Sequence, residues 1–83
     1  MRLRDHPKIK WMEWGEGSLP AEEGILRDVD LIEPMKVLIS NEMAGKTYFA
    51  EIYGSNSAFA SRLHDKIKPI VGRPIREVGE LEL

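Results

Sequence analysis

Cysteine is absent from the 83-residue chain, which excludes disulfide staples, thiolate zinc sites and a cysteine nucleophile together. Histidine is scarce: His6 and His64 lie far apart and show no ligand spacing such as H-x3-H, so no metal site is expected. Aromatic residues are few, at 7%. No apolar run approaches the roughly 18 residues of a membrane span, and the first residues lack the apolar stretch of a signal peptide. These absences point to a soluble cytoplasmic protein with no membrane partner.

What is present is ordinary globular composition, 42% hydrophobic and 31% charged. The length allows one domain, residues 1–83, with a single small core. A net charge of −2 argues against a nucleic-acid binder that uses its whole surface. The charge is unevenly spread. Arg2, Arg4, Lys8 and Lys10 face Asp5 alone in the first ten residues. Residues 22–33 carry Glu22, Glu23, Asp28, Asp30 and Glu33 against Arg27, and the tail adds Glu77, Glu80 and Glu82. Either the basic arm lies along the acidic sheet of its own molecule, or it meets an acidic partner.

Residues 1–20 form an arm and loop, punctuated by Pro7, Gly15, Gly17 and Pro20 and holding Trp11 and Trp14. Lys8 to Trp11 alternates polar and apolar, as an extended segment docked through Ile9 and Trp11 would. The body, residues 21–83, reads as β-β-β-α-β. Residues 24–32 make a first strand, rich in branched aliphatics. Leu26 and Val29 both belong in the core, yet strict alternation puts them on opposite faces, so a bulge is expected near Arg27 and Asp28. Residues 35–40 and 46–53 make an antiparallel hairpin around Gly45.

The helix is the plainest signal, at about residues 56–70. Ser55, Asn56 or Ser57 can cap it, and Phe59, Leu63, Ile67 and Ile70 form one apolar stripe beside Ala60. Pro69 distorts or ends it, and Gly72 follows as a C-terminal cap. Pro74 to Gly79 reads as a turn, and Glu80 to Leu83 as a short final strand. The fold class is therefore α+β, a curved antiparallel sheet of three to five strands with one packed helix. An SH3-like, partly closed barrel with a capping helix is the alternative.

Chemistry is sparsely signalled. Ala44-Gly45-Lys46-Thr47 imitates the end of a phosphate-binding loop, but Ser40 stands where the first glycine belongs and a strand follows instead of a helix. Asp28 with Asp30, and Glu80 with Glu82, are acid pairs of the kind that line exposed strands and deter aggregation. No serine sits in a nucleophile elbow. The arm is the remaining candidate. Arg2, Arg4, Lys8 and Lys10, interleaved with Trp11 and Trp14, can anchor a protein interface or stack on bases while neutralising phosphates. The tryptophans can equally plug the end of the core.

The chain resembles a widespread family of short, uncharacterised bacterial proteins. The likeness rests on Arg4-Asp5-His6-Pro7, Trp11 and Trp14, Gly24-Ile25-Leu26, Tyr48 with Tyr53, Phe59, and the run from Gly72 to Leu81. It departs where the family has Trp-Pro-Pro between its tryptophans, an acid pair at Ser55-Asn56 and a cysteine at Ala60. The resemblance implies no activity, cofactor or ligand. The expectation is a non-enzymatic binding or adaptor domain that uses a sheet face or the arm and takes another protein as partner. Single-stranded nucleic-acid binding and a small enzyme with an unrecognised site are the alternatives, and no cofactor is expected.

Overall fold

The computed structural model describes residues 1–13, 23–32 and 35–83. Four strands, β1 (Lys10–Glu13), β2 (Ile25–Ile32), β3 (Lys36–Met43) and β4 (Lys46–Tyr53), form one sheet in the order β1-β4-β3-β2. Every neighbouring pair is antiparallel. The sheet is open, with β1 and β2 as its edges, so the barrel alternative is set aside. The extended segment expected at Lys8–Trp11 overlaps β1, the fourth strand, which begins at Lys10 and runs on to Glu13.

The hairpin of β3 and β4 runs in unbroken register from Lys36 opposite Tyr53 to Met43 opposite Lys46. Its turn is shorter than expected, only Ala44 and Gly45, both with positive φ (53° and 78°). A two-residue turn of that hand follows the right-handed twist of the strands it joins. The pairing of β2 with β3 shifts between Leu26 and Asp28, which is the expected bulge. It brings Leu26 and Val29 onto one face, and both are buried.

Helix α1 (Ser57–Ile67) is capped by Asn56, whose Oδ1 accepts the Phe59 N–H at 2.8 Å. Ala60, Leu63 and Ile67 are buried, while Phe59 and Ile70 pack beside the core. The helix lies against β2 and β3, and Leu26, Val29, Val37, Ile39, Ala50 and Ile52 complete the layer between. A 3-10 turn at Lys68–Ile70 takes up Pro69, and Gly72 follows at φ 100°.

The tail differs from expectation. The stretch read as turn and final strand holds a short helix, α2 (Arg76–Glu80), and Glu82 makes only an isolated bridge to Arg2. Four alternating residues describe an extended tail as well as a strand, and a strand also needs a partner of its own length. Leu81 and Leu83 still pack against the core as the alternation requires.

Candidate functional site

The arm is docked. A 3-10 turn at Leu3–Asp5 buries Leu3 completely, and the Leu3 N–H donates to the Leu81 carbonyl at 2.8 Å. Arg2 lies 2.9 Å from Asp5 and 3.1 Å from Glu80, and Arg4 lies 3.5 Å from Glu80. The hydrogen bonds that the Arg2 guanidinium donates to Glu80 and Asp5 raise its pKa above the ordinary value. Buried Gly79 leaves the room Arg4 occupies, for a Cβ there would stand 2.9 Å from Arg4 Nε. For Arg2 and Arg4 the intramolecular account of the charges holds, with one correction. Among the described residues, the acids shown to meet the arm's arginines are Asp5 of the arm itself and Glu80 of the tail, not Asp28 and Asp30 of the sheet.

The six residues singled out in the arm thus part company. Arg2 and Arg4 belong to the clasp between arm and tail. Trp11 sits on β1 opposite Ile52, half-buried against the core, with its indole Nε1 buried and without a hydrogen-bond partner among the described residues. Lys8 and Lys10 are exposed. Trp14 lies outside the described residues.

Sequence reasoning missed a second arrangement, on the sheet face away from α1. Glu51 alternates with Ala50 and Ile52 along β4, so its side chain points opposite to theirs, yet it is only 4% exposed. The Tyr53 hydroxyl donates to Glu51 Oε2 at 3.0 Å, and the Lys36 ammonium lies 3.6 Å from Oε1. The same ammonium sits 5.5 Å from the centre of the Tyr53 ring, a cation–π contact. Contact with Tyr53 first, and the Glu51 carboxylate next, raise the Lys36 pKa above the ordinary lysine value. The register explains the grouping: Lys36 opposes Tyr53 and Leu38 opposes Glu51. The available signal was an acid between aromatics on β4, with a lysine at the paired end of β3.

This part of the face holds the Lys36 ammonium against Tyr53 and Glu51, with Leu38 and Phe49 on the same face. Elsewhere His6 packs its ring 5.3 Å from that of Phe59 and accepts the Lys8 N–H, and His64 contacts Asp65 at 3.1 Å. Among the described residues no three acid or histidine side chains stand together as a metal-holding group. The phosphate-loop imitation is the hairpin turn itself. No protein-family model, curated protein or solved structure matches the chain.

Proposed function

We propose that this chain is a non-enzymatic binding or adaptor domain that takes a protein partner on the outer face of its sheet. The observation that carries this reading is the Lys36–Glu51–Tyr53 group. A carboxylate withdrawn from water costs several kcal/mol in effective terms unless it is well paired. The hydrophobic layer under α1 does not require one on the opposite face. A rigid cation set on a tyrosine ring suits a contact that must be specific, since polar groups across an interface fix register and exclude wrong partners.

Single-stranded nucleic-acid binding through the arm is the second reading, and it draws on Lys8 and Lys10. It has less support, since Arg2 and Arg4 are engaged within the molecule and Trp11 packs on the core. The reading as an enzyme has no nucleophile and base behind it in the residues described. We also propose a cytoplasmic location and membership of the short bacterial family. In favour of the first stands only that, among the described residues, no helix is long and apolar enough to cross a membrane.

Site-specific photocrosslinking tests the main reading. A crosslinker at Ser40, on the outer face, should trap a defined partner in cells, while one at Lys66 on the exposed side of α1 should trap none. Equal products from both positions, or none from Ser40, would refute it. Amide shifts confined to Lys8, Lys10 and Trp11 on adding an oligonucleotide would favour the second reading instead.

A further inference from the structure

The two edges of the sheet are complementary to one another. Because four strands alternate in direction, β1 and β2 run opposite ways. A copy displaced along the sheet therefore brings its β1 antiparallel to β2 of the first, with the outer faces of both sheets on the same side. An odd number of strands would have made that contact parallel.

Length and charge also agree. The segment at Gly72–Ile75 occupies the first part of the β2 edge: Leu26 N–H donates to the Arg73 carbonyl at 2.9 Å, Gly72 N–H to Leu26 at 2.7 Å and Ile75 N–H to Gly24 at 2.9 Å. Beyond the bulge, no strand or segment among the described residues pairs with the Val29–Ile32 edge, a stretch as long as the four residues of β1. Asp28 and Asp30 oppose Ser40 and Leu38 and so lie on the outer face, both exposed. Lys10 opposes Tyr53 and lies on the same face of β1, with Lys8 just before it. Among the described residues none of these four charges has an ion-pair partner. On the inner side, Leu31 is 48% exposed at the β2 edge, and Ile9 and Trp11 are half-buried at the β1 edge.

We propose that β1 of one copy of this chain adds to the Val29–Ile32 edge of another, head to tail. In the register that fits this stretch Lys10 stands opposite Asp30, with Asp28 and Lys8 at the diagonals, while Ile9 faces Leu31 and Trp11 faces Val29 on the other side. Opposite charges directly across strands favour such pairing, and a heterologous contact of this kind repeats without closing unless its rotation closes a ring. The Val29 N–H is already taken by Asp28 Oδ1 at 2.9 Å, so fewer backbone bonds remain and the contact is weak and salt-sensitive.

Sedimentation of the full chain tests this. At low salt and millimolar concentration the average mass should climb past that of a dimer, and it should fall back towards the monomer in high salt. Two variants fix the geometry. Lys8→Glu with Lys10→Glu spoils the β1 edge, and Asp30→Lys spoils the β2 edge, leaving Asp28 to hold Val29. Each should be monomeric alone with an unchanged melting profile, whereas an equal mixture should associate again past a dimer, because the native contact and the charge-reversed contact between positions 10 and 30 are then both attractive. A wild-type chain that stays monomeric at low salt would overturn the proposal, for the acids would then simply guard the edge. So would a mixture no larger than its components, which would exclude the head-to-tail contact even if the wild type associates.

Discussion

Leu3 donates its backbone N–H to the carbonyl of Leu81 at 2.8 Å, and the Leu3 side chain is fully buried in the main core. The arm is thus a structural part of the domain. Deleting residues 1–14 removes this side chain, the clasp to Glu80 and the whole of β1, so it should lower stability and not merely remove a binding function. Leu3→Ala isolates the packing term and should cost about 2–5 kcal/mol in urea unfolding. A truncated chain that melts like the full one would show that the arm contributes nothing to the fold.

The phase of α1 makes a sharper comparison. Leu63 is fully buried and Lys66 is exposed, one turn apart on the same helix. Leu63→Ala should destabilise by about 2–5 kcal/mol, and Lys66→Ala should change stability by no more than about 0.5 kcal/mol. Paired urea melts check both, and equal effects would place the wrong face against the sheet.

Ala44 holds φ 53° in the hairpin turn, where an L-residue is strained by roughly 1–2 kcal/mol against its preferred region. Asparagine tolerates that conformation and is favoured beside glycine in such turns. Ala44→Asn should therefore stabilise the domain by about 0.5–1 kcal/mol, seen as a higher urea midpoint with an unchanged slope. An unchanged or lower midpoint would mean that Ala44 carries no strain.

Asn41 is the polar intruder on the core side of β3. It is 3% exposed, faces Leu26 and Tyr48, and its Nδ2 has no hydrogen-bond partner among the described residues. An orphaned buried donor costs about 1–3 kcal/mol. Asn41→Val removes the donor, suits a strand and adds little bulk beside Gly24, so it should stabilise by about 1 kcal/mol. Thermal and urea melts check this, and a loss of stability would show that the amide serves a purpose the side-chain contacts do not reveal.

The fold was legible where local pattern and tertiary demand coincide. The stripe Phe59, Leu63, Ile67 and Ile70 repeats at helical spacing, and Leu26 and Val29 can share a core face only across a bulge. The tail was misread because Glu80 to Leu83 alternates without saying what it pairs with, and α2 depends on burying Val78 and Gly79 against a distant arm. The candidate site was legible only in part. Arg2 and Arg4 stand out in the sequence for charge, but their partner Glu80 is brought near by the fold. Lys36, Glu51 and Tyr53 went unremarked, because their grouping depends on the register of β3 against β4 and no local spacing encodes it.

That register also sets the domain's response to alkali. Lys36 titrates above the ordinary lysine value when folded, chiefly through Tyr53 and then Glu51, and returns to the ordinary value when the chain unfolds. A raised folded pKa means that the native state holds the proton more tightly than the unfolded state. The contribution is then fully present below the ordinary lysine value and is lost as pH rises through the folded one. The stability profile of the wild type should accordingly slope downward on its alkaline side. Lys36→Met removes the titrating group and should flatten that part of the slope. It also leaves the Glu51 carboxylate buried with only the Tyr53 hydroxyl, so it should lower stability at neutral pH. Adding Glu51→Leu to Lys36→Met removes the stranded charge and should restore much of the loss, since a buried ion pair replaced whole by apolar groups is often tolerated. Urea melts of the three variants between neutral and alkaline pH read all of these effects. If Lys36→Met keeps the wild-type slope and stability, the ammonium is not held by Tyr53 and Glu51, and the reading of the outer face as a prepared surface falls with it.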